Sequence, residues 1–147
     1  MRFHISGDLR TNDVTSGGEL VDGLYVVEGD VHLNNVSTTD HPWRATIVAR
    51  GKIQISGGIN QLPVARGIFL FTEYQGNQDA IKLSGSSSHW AGLILAPYDD
   101  VDMSGSDNSD LGGMIMAQRI SISGSSISIN HRPEYCPPNP PRILLVQ

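Results

Sequence analysis

The chain has 147 residues, a net charge of −5 and 17% charged residues, with Gly and Ser abundant. That length suits one domain with its own core. The few scattered Lys and Arg exclude the basic stripe of a nucleic-acid binder, the single Cys136 excludes an intramolecular disulfide, and no apolar run is long enough to be a membrane span.

Phe3-His4-Ile5-Ser6-Gly7 opens the chain with a pattern that keeps returning: apolar, variable, apolar, Ser, Gly. The later copies start at Ile53, Ile81, Val101 and Ile120, and Val31-His32-Leu33-Asn34-Asn35 is a weaker one. Steps of roughly 20 to 30 residues with strand alternation in each copy mark a solenoid, in which each turn buries its neighbour's apolar face. The first and third residues of a copy share one face of a strand and therefore point to a core. Ser then leaves the strand, and Gly supplies the freedom to turn. In this register Ser6, Ser56, Ser84, Ser104 and Ser123, each followed by Gly7, Gly57, Gly85, Gly105 or Gly124, form one ladder of corners. His4, His32, Gln54, Lys82, Asp102 and Ser121 form one outward column.

Between the copies, residues 8–23 read as a polar turn region, and residues 24–27 as a short apolar strand. Residues 46–49, 68–71, 93–96 and 114–117 repeat that strand, so each coil pairs a near-continuous apolar strand with an alternating one. Pro42 and Pro63 mark residues 35–44 and 58–66 as excursions. Residues 74–79 read as a polar insertion, and residues 126–129 as a third strand in the last coil. No helical spacing is sustained anywhere. The expectation is an all-β, single-domain parallel β-solenoid of about six coils over residues 1–132, right-handed by the general rule for parallel crossovers. A proline-rich connector and an apolar terminal strand follow over 133–147. The run Ile143-Leu144-Leu145-Val146 is expected to lie against the rod or to join a neighbouring subunit as an added strand.

Candidate chemistry is sparse. Asp99, Asp100, Asp102, Asp107 and Asp110 are the densest oxygen donors and the candidate Ca²⁺ set. The repeat-bound Ca²⁺ motif is missing, so a solvated acidic turn is the preferred reading, with no cofactor and no metal. The histidines read as surface residues, and no nucleophile elbow, phosphate loop or zinc motif occurs. The outward column also lacks the clustered carboxylates and cations of a polysaccharide-cleaving β-helix, so no catalytic residue is assigned. Trp43, Trp90, Tyr74 and Tyr98 are candidate sugar-stacking residues.

With the repeats aligned, the segments 90–97, 101–106, 113–117 and 120–125 resemble the C-terminal β-helical region of bacterial pilus-assembly and cell-surface proteins of the PilX and Tad type. That family carries a Trp-x-Gly-x-Ile-Tyr-Ala-Pro segment ahead of Gly/Ser-rich coils and ends on a proline-led apolar strand. The resemblance covers roughly residues 20 to 147, with Leu95 standing where the family has Tyr. It implies a non-enzymatic protein at the cell surface and brings no catalytic residues. No apolar leader opens the sequence, so any export signal or anchor is expected either on a longer parent chain or to have been removed.

No cap is readable at either end of the solenoid, and uncovered strand edges recruit partners. The leading expectation is therefore an extracellular structural subunit, pilus- or fibre-associated, that forms homo-oligomers or filaments by end-to-end stacking or strand addition. The alternatives are a carbohydrate or surface-adhesion module that binds surface glycans, and a cytoplasmic polymer like the bactofilins.

Overall fold

The structure, a computed structural model, describes residues 1–38, 40–132 and 134. Its strands are β1 (Arg2–Ile5), β2 (Leu9–Arg10), β3 (Thr15–Ser16), β4 (Glu19–Leu20), β5 (Gly23–Val27), β6 (Val31–Ser37), β7 (Trp43–Ala49), β8 (Ile53–Gly58), β9 (Gln61–Leu62), β10 (Ile68–Thr72), β11 (Ile81–Ser86), β12 (His89–Ser106), β13 (Asp110–Gly124) and β14 (Ser128–Asn130). A 3-10 turn spans Thr11–Asp13.

Among the described residues the named strands pair in parallel except β3 with β4, an isolated Ala65–Ile68 bridge is also antiparallel, and the parallel pairs fall into three strips. Along the first, Phe3, Tyr25, Ile47, Leu70, Ile94 and Ile115 stack in register. Along the second, the stack is Leu9, Val31, Ile53, Ile81, Val101 and Ile120. The third joins Trp43 to Gln61, Trp90 to Leu111 and Leu111 to Ile129, with a bridge from Asn60 to His89. The chain is a single-domain parallel β-solenoid of about six turns.

Alternation builds the core. Leu33, Ile55, Leu83 and Met103 follow the first inward residues of the second strip and are as fully buried. From the other strips, Tyr25, Ile47, Leu70, Ile94, Trp43, Trp90 and Leu111 complete one continuous apolar cluster. Buried polar groups stitch one turn to the next. Gln61 donates to the Ala45 carbonyl at 2.9 Å and accepts from the Ala91 N–H at 3.0 Å. Thr46 Oγ donates to the Ile68 carbonyl and accepts from the Val64 and Ala65 N–H groups. Each of these would otherwise be a desolvated backbone group without a partner.

Three sequence expectations need correction. The Phe3 pattern is not a copy of the Ile53 pattern: β1 pairs with β5 on the first strip, and the place over Val31 belongs to Leu9. Ser6 and Gly7 therefore leave the Ser-Gly ladder, which runs Ser56, Ser84, Ser104, Ser123 beside Gly57, Gly85, Gly105, Gly124. Gly7 instead stacks under Gly29 and Gly51, whose N–H groups donate down the column at 3.1 and 3.0 Å. Likewise, His4 stands beside Val26 on the first strip, and Arg10 takes its expected place in the outward column with His32.

The third strip is the second correction. Residues 43–44 and 61–62 are rungs of it, not parts of loop excursions. A rung of two residues carries a single inward side chain, so it shows no alternation to read.

The third correction concerns residues 8–23. They hold β2, the 3-10 turn and the antiparallel pair β3–β4, and they bury Val14 and Leu20 in the core cluster. Thr11 Oγ locks this segment to Asn34, accepting its N–H at 2.9 Å and bonding its carbonyl at 3.2 Å. The first turn is thus closed by its own chain, where no cap had been readable.

Candidate assembly site at the open end

The last turn has no such cover among the described residues. Ile120 and Ile122 occupy the same inward positions as Val101 and Met103, yet they are 43% and 47% exposed, whereas Val101 and Met103 are fully buried. Ile129, the inward residue of β14, is 41% exposed. Ile115, Ala117 and Ile127 are partly buried against the core beside them.

Along residues 119–124, β13 has β12 as its one partner among the described residues. Its free edge is therefore a template for another strand. Seating one there would complete the ladder and bury the remaining half of each isoleucine, worth about 1 kcal/mol per side chain.

Burial removes most of the expected aromatic ligand surface. Trp43 is fully buried and Trp90 is 2% exposed. Trp43 Nε1 donates to the Val21 carbonyl at 2.8 Å, a structural bond that fixes the third strip at the closed end. Tyr74 packs on the core cluster, which leaves Tyr98 as the exposed member of the four.

The acidic residues do not converge. Asp99 accepts from the Gly76 and Asp100 N–H groups, both at 2.9 Å, and Asp100 pairs with Arg119 Nη2 at 2.9 Å. Asp102 stands outward beside Lys82 and Ser121. Asp107 accepts from Ser86 Oγ at 2.6 Å, while Asp110 contacts His89. Each carboxylate has separate work in a corner or on the surface. Among the described residues, no group of three or more His, Cys, Asp and Glu could hold a metal ion.

Sequence reading missed the residues that hold the inner corner. Ser88 and Ser109 are fully buried. Ser88 Oγ donates to the Gly57 carbonyl at 2.8 Å, and the Ser88 N–H donates to Ser109 Oγ at 3.1 Å. Their signal was present as a second repeat, Ser88-His89-Trp90 and Ser109-Asp110-Leu111.

Two lateral features complete the surface. Outward on the first strip, Val26, Val48, Phe71, Leu95 and Met116 form an apolar stripe, half-buried up to the exposed Met116. Open grooves border the second strip, one lined by His32, Gln54, Gln78 and Lys82 and another by Asp79, Tyr98, Asp100 and Arg119.

Ile143, Leu144, Leu145 and Val146 lie outside the described residues. No helix among the described residues is long and apolar enough to cross a membrane. No protein-family model, curated protein or solved structure matches the chain.

Proposed function

We propose that this protein is a non-enzymatic structural subunit, extracellular and pilus- or fibre-associated, that assembles by adding β-structure to the open end of its last turn. The observation that carries the reading is the exposure of Ile120 and Ile122, whose counterparts Leu9, Val31, Ile53, Ile81 and Val101, and Leu33, Ile55, Leu83 and Met103, are buried. An unpaired edge and a half-dry apolar row together favour a β-strand partner over a small ligand. The resemblance to pilus-assembly and cell-surface proteins supplies the setting, since it rests on these same late coils.

Light scattering and negative-stain imaging across a wide concentration range test the reading. Oligomers should grow with concentration, and Ile122→Lys should abolish them without changing the far-ultraviolet circular dichroism. A strict monomer at every concentration, or oligomers indifferent to Ile122→Lys, would count against it.

A further inference from the structure

We infer that the flank of the rod carries a binding trough for a linear, mostly uncharged glycan, which lies along the rod axis over the outward column of the second strip. The trough is on a different surface from the edge of the last turn, so it stands or falls separately from the assembly reading.

A fixed wall defines it. Residues 28–30 and 50–52 carry the earlier turns from the first strip to the second, but the next turn uses 73–80 for the same passage. This longer loop is tied to the turns on both sides. Lys52 Nζ donates to Gln78 Oε1 at 2.8 Å from the turn before, while the Gly76 and Ala80 N–H groups donate to Asp99 Oδ2 at 2.9 Å and to the Asp100 carbonyl at 2.8 Å in the turn after. Tyr74 packs on the core cluster, and its ring fills the space that a side chain on Gly76 would need. Gln78 and Asp79 are thereby held over the second strip, with a groove of about 360 Å³ on one side of them and one of about 320 Å³ on the other.

The floor is the column His32, Gln54, Lys82, Asp102 and Ser121, which stack in register. With rungs about 4.8 Å apart, it runs for roughly 19 Å. Among the described residues the side chains of Gln54, Lys82, Asp102 and Ser121 have no hydrogen-bond or ion-pair partner in the protein, so their donors and acceptors face the groove.

The chemistry of floor and wall selects the ligand. The column presents no apolar side chain to an apolar ligand. The strands β8 and β11 are already paired on both edges, so an extended peptide finds no backbone to join. Asp79, Asp100 and Asp102 oppose the phosphates of a nucleic acid. A chain of hydroxyl groups meets none of these obstacles, because the amides of Gln54 and Gln78 both donate and accept, as hydroxyls do. One rung is close to the length of one pyranose ring, so successive rungs can meet successive sugars. Tyr98, 56% exposed beside Gln118 in the second groove, offers a ring face for stacking. The carboxylates over the later turns disfavour a chain with an acid on every ring.

Calorimetric titration of the full chain with three linear uncharged hexasaccharides, chitohexaose, cellohexaose and mannohexaose, tests the inference. At least one should bind with a Kd below about 1 mM, and its disaccharide at least about tenfold more weakly. Gln54→Ala and Tyr98→Ala should each weaken the hexasaccharide about three- to tenfold, while Arg44→Ala, on the third strip, should leave it unchanged. No binding of any of the three at about 5 mM would overturn the inference, as would equal binding of the disaccharide or indifference to both Gln54→Ala and Tyr98→Ala. Tighter binding of hexagalacturonate than of all three would overturn the ligand class.

Discussion

Leu9 and Ile120 stand at opposite ends of one stack and face the same core, yet Leu9 is fully buried and Ile120 is 43% exposed. The repeat treats them alike, so the difference comes from residues that do not repeat. At the first turn, Thr11–Leu20 departs from the parallel pattern, folds into an antiparallel pair and lays Val14 and Leu20 against the core. At the last turn, the chain passes from β14 toward a run of prolines without any comparable segment among the described residues. A solenoid whose two ends are covered differently has a direction, and the same substitution at the two ends of one stack should have different effects.

The comparison is broken most severely by a buried charge. Leu9→Asp should destabilise the protein by about 3 to 5 kcal/mol, because its carboxylate has no water and no partner at that position. Ile120→Asp, the same change at the other end, should lose less than about 1 kcal/mol, since its side chain still reaches solvent. Urea unfolding of the two variants measures this directly. Equal losses would mean that the last turn is sealed as well as the first.

A finer cut uses the glycine column at the outer corner. A methyl group on Gly51 would lie 2.6 Å from the Gly29 carbonyl oxygen, and one on Gly29 would lie 2.9 Å from that of Gly7. One on Gly7 would meet nothing within 4 Å, because no turn stacks beyond it there. Gly51→Ala should therefore lose about 1 to 3 kcal/mol through overpacking, and Gly7→Ala should stay within about 0.5 kcal/mol of the parent. A large loss at Gly7 in thermal melts would show that the cap extends further over this corner than residues 11–20.

The stacking was legible in the sequence because its signal is long: five-residue alternation ending in Ser-Gly survives in four copies whose register the structure reproduces. The register of the first turn was not, since Ser6-Gly7 looks like those corners while obeying another rule. What distinguishes it is the residue after glycine. Asp8 and Asp30 each accept the N–H one turn on, from Asp30 and from Lys52, both at 2.8 Å. Gly-Asp-apolar at residues 7–9 and 29–31 was thus the true repeat at that corner.

Trp43 and Trp90 misled for a related reason. Each is the lone inward residue of a short rung, so their flanking Pro42 and His89 made core positions look like surface loops. The open end could be read only in part. Sequence shows that strands repeat, but closure depends on whether a non-repeating segment such as Thr11–Leu20 returns to the core, which no period reports.

The smallest expected effect probes the closed end from within. The Tyr25 ring lies 1% exposed against Phe3, with centroids 4.9 Å apart, and its hydroxyl donates to the Val21 carbonyl at 2.7 Å. Burial first, and the nearby Asp22 charge second, push its phenol from the ordinary 10.0 up to about 12. A group whose folded pKa is raised contributes its stability fully below the unfolded value and loses it as pH climbs toward the folded one. Stability should therefore fall between about pH 10 and about pH 12 through this residue. Tyr25→Phe should lose about 1 kcal/mol at neutral pH, the net worth of one hydrogen bond, while the Val21 carbonyl keeps its bond from Trp43. The gap between parent and variant in urea midpoint should then narrow across the alkaline window, because the variant has no phenol to ionise. A gap that stays constant from pH 8 to 12 would detach the alkaline loss from Tyr25 and assign it elsewhere in the rod.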